Sequence, residues 1–342
     1  MRPSSSLIRQ RPGTPQRGNT MKTKVFGSLL MMLGVLTGQV QAQTWPERAV
    51  RVVVPFSAGG GTDIIARLVA QRLSERLGQP FVVENRTGGN GNIGAQLVAR
   101  SGADGHTLLV STSALTINPA LHDNTGYQLK EFTPVTQLAT SPYLLVVNPV
   151  AAPGLTSLAS LIEQAKSREG AVSWASTSEG NAEHLAGALL QQMAGFRMTH
   201  VPYKGGADAL KDVVGGHVAV GVVSLPTSIA FVKSGQLRVL GVTSATRAPQ
   251  IPDIPTLSEI GVSGYELPTW YGMWAPAGVR PDIVARLHAV LADILRNEEV
   301  SQRVIGMGFA VGSMTQAQFG DYVQREAAKY IALAAQIGLK KQ

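Results

Sequence analysis

Residues 52–68, "VVVPFSAGGGTDIIARL", combine a strand-like apolar run, a proline, three consecutive glycines and the start of an amphipathic helix at Thr62 or Asp63. Bare backbone N–H groups at a helix N-terminus bind anions, because unpaired donors and the helix dipole act together. No Lys-Ser or Lys-Thr pair follows the glycines, and between residue 43 and Lys130 there is no lysine, so this is not a Walker-type phosphate cradle. A carboxylate fits such a loop as well as a phosphate does. A simple tight turn capped by Thr62 or Asp63 accounts for the same residues, and both readings stay open on sequence alone.

Two further stretches invite chemistry. Gly89, Gly91 and Gly94 in "ENRTGGNGNIGAQLVAR" spell G-x-G-x-x-G, but the following strand ends in "LLVSTS" with no acid to hold a ribose, so a turn and close helix packing are expected instead. In "WASTSEGNAEHLAGALLQQM", Ser176, Thr177, Ser178 and Asn181 form a polar lip before a helix capped by Asn181 or Ser178. Glu179 and Glu183 add negative charge at that lip, although acids in a first helical turn are also ordinary complements of the dipole. His184 reads more readily as a hydrogen-bonded packing residue than as a base.

Catalytic signatures are sparse. There is no G-x-S-x-G elbow and no H-E-x-x-H, and the six histidines lack metal-ligand spacing. The absence of cysteine excludes thiol catalysis, thiolate metal sites and disulfides. The reading is therefore non-enzymatic, without cofactor or metal. An exported hydrolase using Asp63 or His184, and a ligand sensor serving a signalling partner, are the competing readings.

The elements that position these residues alternate between Val- and Leu-rich runs and segments of helical period, the pattern of an α/β protein with mostly parallel sheets. One series, with strands at 50–54, 81–84 and 106–110, makes a βαβαβ layer. A second, beginning with the apolar strand in "PYLLVVNP", continues to a strand at 237–243. A Pro- and Gly-rich loop then leads into "YELPTWYGMWAPAG" and two amphipathic helices, 281–296 and 316–339, which have no following strand and must pack on a layer already built. Two layers of this kind place their strand ends on facing sides of a cleft, where ligands bind.

The N-terminus bears on location. Residues 21–42 have a basic start, an apolar run at 25–36 and a small-residue end, the pattern of a secretory signal with cleavage expected after Ala42. The apolar run is shorter than the ~20 residues a membrane span needs. Residues 1–20 are basic and Pro- and Ser-rich, and Met21 opens a complete signal by itself, so Met21 is the expected start. Six of the 30 basic residues and none of the 22 acids precede Gln43, so the formal +8 falls to +2 for the mature chain and gives no case for a nucleic-acid partner.

These motifs, in order along residues 45–340, together with "HVPYKGGADALKDVVGGHV", "LRVLGVTSATR" and "PDIPTLSEIG", closely resemble the Bug family, periplasmic receptors of tripartite tricarboxylate transporters. The resemblance implies a two-domain periplasmic binding protein of the second topological class. Its hinge strands would map onto "PYLLVVN" and "YELPTWYGMWAP", with residues 43–145 and 268–342 in one domain and 146–267 in the other. It implies a small carboxylate ligand, membrane permease subunits as partners, and a monomer. Carried over by motif, Phe56, Ser57, Ala58, Gly59, Gly60, Gly61, Thr62 and Asp63 would form one wall, with Gly60, Gly61 and Thr62 donating to the ligand carboxylate and Asp63 orienting water. Ser111, Thr112 and Ser113 would line the same domain. Ser176, Thr177, Ser178, Glu179, Asn181, His184, Tyr203 and Ser224 would close from the other. Two departures from the family pattern stand out: Glu179 and Glu183 at the lip, and Val223-Ser224 where Asp-Asn is common. An inward Glu179 would disfavour a second ligand carboxylate.

Overall fold

The computed structural model describes residues 10–14, 45–168, 170–177 and 179–338. The expected start at Met21, the signal at 21–42 with its cleavage site, and Ser178 fall outside them. The chain divides into a unit of residues 1–44 and a unit from Trp45 onward, and the second carries every element below.

Strand β1 (Val50–Val54) is almost wholly buried and feeds through the glycine loop into helix α1 (Gly61–Leu77). Ile65, Leu68, Val69 and Leu73 of α1 are buried at the spacing of one helical face, and the helix stops at left-handed Gly78. Strands β2 (Phe81–Asn85) and β3 (Thr107–Thr112) both pair parallel with β1, and helix α2 (Asn92–Ala99) connects them. A Cβ at Gly94 would lie 2.8 Å from Pro55 Cβ and 2.9 Å from the Arg86 carbonyl oxygen. The G-x-G-x-x-G stretch therefore serves packing, seating α2 directly on the residue that opens the glycine loop.

Next come helix α3 (Ala114–Leu121) and strand β4 (Phe132–Ser141), after which the chain changes sheet at Pro142. The second sheet collects β5 (Tyr143–Val147), α4 (Leu158–Ser167), β6 (Ser173–Ser176), α5 (Ala182–Ala194), β7 (Thr199–Pro202), α6 (Gly206–Val214), β8 (Val220–Ser224), α7 (Leu225–Lys233) and β9 (Arg238–Val242). The chain returns to the first sheet as β10 (Thr269–Pro276), and ends with α8 (Pro281–Arg296), α9 (Glu298–Gly306), β11 (Ala310–Val311) and α10 (Gln316–Gln336). Strand orders are β11-β4-β10-β3-β1-β2 and β7-β6-β8-β5-β9. β5 runs antiparallel to both its neighbours, as does β10. Each is the strand that arrives from the other sheet, which is why it runs against its surroundings.

Separate clusters of buried side chains line these sheets. Helix α10 serves two of them: Phe319 and Val323 pack with Trp270 and Trp274 of the first sheet, whereas Tyr330, Leu333 and Ala334 join the core of the second. Burial of large apolar side chains contributes roughly 1.5–3 kcal/mol each, so one helix ties both sheets together.

Candidate functional site

The glycine loop is built from behind. Gly59 has φ 78°, a conformation that disfavours any side chain, and Gly60 is the N-cap of α1 in extended geometry with no side chain capping the helix. The helix thus begins at Gly61, and Thr62 and Asp63 occupy its first turn instead of capping it. Asp63 is buried and turned away from the cleft. Its carboxylate accepts from Gly59 N at 3.0 Å, Arg67 Nε at 2.8 Å and Asn85 Nδ2 at 2.9 Å, while Asn85 also donates to the Phe56 carbonyl at 3.0 Å. Burial alone would raise the Asp63 pKa, but the bonds from Arg67, Gly59 and Asn85 outweigh it and hold the group below its usual value. Asp63 is a strap for the loop. Gly61 needs its missing side chain: a Cβ would stand 2.6 Å from Tyr271 Oη and 3.2 Å from Ser224 Oγ.

The opposite wall is the turn between β6 and α5. Asn181 caps α5, accepting from His184 N at 2.8 Å and donating to the Thr177 carbonyl at 2.8 Å. His184 Nδ1 accepts from Gly180 N at 2.9 Å, and its ring stacks on His200 with centroids 4.1 Å apart. Ser176 Oγ bonds His200 Nε2 at 2.7 Å. Burial, helped by the neighbouring His184, pushes the His200 pKa down to about 3, and burial also lowers that of His184. The pair is a neutral packing unit behind the wall. Gly187 lets α5 lie on Trp174, where a Cβ would come within 2.2 Å of the indole.

Of the two lip glutamates, Glu179 is exposed and Glu183 turns inward, only 6% exposed. Glu183 Oε2 accepts from the Thr177 backbone N at 2.8 Å and from the Thr177 hydroxyl. Burial pushes the Glu183 carboxyl up to about 7, against the opposing pull of these two Thr177 donors.

The walls meet over a cavity of about 50 Å³. Of the residues expected from sequence, Phe56, Gly60, Gly61, Thr62, Thr112, Thr177, Asn181 and Ser224 line it. Ser57 lies at the rim, where its hydroxyl donates to Asp208 Oδ2 at 3.2 Å and where a Cβ on Gly205 would come within 2.4 Å of it. Ala58, Gly59, Asp63, Ser111, Ser113, Ser176, Glu179, His184 and Tyr203 are not part of the lining; Tyr203 Oη donates to Asp212 Oδ2 at 2.6 Å.

Tyr143, Thr269 and Tyr271 form part of the lining that motif reading misses. Both tyrosines have pKa values raised first by burial and then by Glu183, so their hydroxyls are neutral. The signal for them lies in their location, on the two strands that change sheets. Gly206 and Thr227 likewise escape motif reading, as each looks like part of an ordinary helix start.

Those helix starts form a pattern. The cavity is lined by the first turns of α1, α3, α5, α6 and α7 through Gly61, Ala114, Ala182, Gly206 and Thr227, and by no lysine, arginine or histidine among the described residues. The caps of α1 and α6 are glycines that offer no side-chain acceptor to the first amides. Convergent helix N-termini create a positive potential without a cationic side chain. Among the described residues no cluster of His, Cys, Asp and Glu could hold a metal ion.

Comparison with known proteins gives a consistent picture. The family described as tripartite tricarboxylate transporter family receptor matches residues 65–339. The chain is similar to Protein BugT of Bordetella pertussis, 34% identical over 92% of this chain and 97% of that one. Among solved structures it is similar to an R. palustris protein with adipate (36% identical, TM-score 0.84, covering 86% of this chain and 99% of that one). It is also similar to MatC from Rhodopseudomonas palustris with bound malate (30% identical, TM-score 0.79, covering 84% and 99%) and to the periplasmic binding protein BugD (32% identical, TM-score 0.82, covering 87% and 100%).

Proposed function

The chain belongs to the tripartite tricarboxylate transporter receptor family, and from that premise we propose that its cleft closes on one small carboxylate and presents it to the permease subunits of such a transporter. It is a solute-binding receptor for carboxylates. The observation that carries the reading is the convergence of five helix N-termini on a cavity that has no basic side chain. Such a field holds an anion through backbone amides and hydroxyls. In this reading Gly60, Gly61 and Thr62 receive the carboxylate, Thr177, Asn181 and Ser224 meet the ligand from the other side, and Asp63 acts by fixing the loop.

The two sheets, with their helices, are the two domains, and β5 and β10 lead from the crossings about which they move. Ligand contacts to both walls favour the closed arrangement, a shift of population and not a reaction. The receptor acts as a monomer in the periplasm, exported by the 21–42 signal and cleaved after Ala42.

Native mass spectrometry of the freshly purified protein tests this reading. A co-purified acid of low mass, released unchanged on denaturation, is expected, and at least one small carboxylate from a panel of mono-, di- and amino-carboxylates should raise the melting temperature of the stripped protein. Conversion of the acid, or no response to any small carboxylate, would contradict the reading.

A further inference from the structure

Glu183 is the anomaly of the cleft. An acidic side chain stands in the lining of a site built to attract acids, and no cationic side chain among the described residues lines the cavity to neutralise it. Oε2 is occupied by the amide and hydroxyl of Thr177. Oε1 is on the side of the cavity wall at Gly206, 3.9 Å from where a Cβ of that glycine would stand. The groups facing Glu183 from other elements are the hydroxyls of Tyr143 on β5 and Tyr271 on β10, both neutral through burial. On its own helix His184 is committed to Gly180 N and to the His200 stack, and the exposed Glu179 lies outside the cavity. Asp208, on α6, is engaged by Ser57 at the rim.

A ligand held here by one carboxylate at the glycine loop meets a carboxylate oxygen at its other end. A second ligand carboxylate at that end would face Glu183 acceptor to acceptor unless a proton came with it, whereas an ammonium group would complete the pair. The small cavity limits the span between the two ends.

We propose that Glu183 is the specificity-determining residue of the cleft, and that the preferred ligand is a short amino acid whose ammonium group binds Glu183 Oε1 while its carboxylate binds the Gly60–Thr62 amides. This rests on the carboxylate-receptor reading and narrows its ligand class. Two donors from Thr177 already favour the ionised form of Glu183, and an ammonium group would favour it further.

Calorimetry on the full protein at about pH 8, where Glu183 is ionised, tests the assignment. The probes are β-alanine and γ-aminobutyrate, set against propionate, butyrate, malonate and succinate. The amino acids are expected to bind at least about tenfold more tightly than the acids lacking the amine, and Glu183→Gln should erase that preference. Equal affinity for γ-aminobutyrate and succinate, or an amine preference that survives Glu183→Gln, overturns the proposal. Tight malonate or succinate binding with proton uptake, visible as a buffer-dependent enthalpy, overturns it in favour of a protonated Glu183. Failure of all six probes to bind counts against the carboxylate reading itself and takes the assignment with it. Gln keeps an acceptor for Thr177, so the variant is expected to fold; if it does not, the wild-type panel decides alone.

Discussion

At the residue scale, the cleft is shaped by one inward acid and one missing side chain. The Glu183 carboxyl rises from a usual 4.5 to about 7 through burial. Its folded value exceeds its unfolded value, so its contribution to stability is fully present below about pH 4.5 and is lost as pH rises through about 7. The size is ~3 kcal/mol from the linkage relation. Thermal unfolding of the unliganded protein should therefore show a melting temperature that falls between about pH 5 and about pH 8, and Glu183→Gln should flatten that slope. An unchanged slope would mean that the carboxyl is solvated. The sequence marks the glycine loop as bare backbone before a helical period, and leaves a tight turn and an anion site equally open. The inward turn of Glu183 is not legible: Glu179 and Glu183 flank the cap, and only its placement at Asn181 decides which of them enters the cavity.

At the element scale, helix starts line the cavity, and the loop before α1 meets the start of α6 where Ser57 approaches Gly205 and Asp208. The N-cap of α6, Gly205, has no room for a side chain against Ser57, although its φ of −171° suits any residue. Gly205→Ala should keep the fold and its melting temperature but weaken carboxylate binding at least about tenfold, since closure buries the ligand's contacts to both walls. Titration calorimetry with an unmodified melting curve as control checks this, and wild-type affinity would show that Ser57 and Gly205 need not meet. Most strands and helices follow directly from apolar periodicity. Helix α3 hides behind Pro119 in its interior. Strand β4 hides because Thr136, Gln137 and Ser141 are buried polar residues in a run that also contains Pro134, so neither alternation nor an apolar block marks it.

At the scale of the whole molecule, two sheets joined by two sheet-changing strands and tied by α10 form a receptor, and in the proposed reading the ligand carboxylate is received by backbone amides instead of a basic side chain. The grammar of alternating strand and helix makes the α/β class readable from sequence. The reversed directions of β5 and β10 are tertiary facts, set by where the chain changes sheets, and so the tyrosines they carry into the cleft escape motif reading. The central claim is that a carboxylate sits on the uncapped start of α1, which requires residue 61 to be glycine. Titration calorimetry of wild type and Gly61→Ala against the same small carboxylates, with circular dichroism confirming an unchanged fold, tests it most directly. The account predicts that the added methyl group, colliding with the Tyr271 hydroxyl and projecting toward Ser224, lowers affinity by about a hundredfold or more. Equal binding by the two proteins would contradict it.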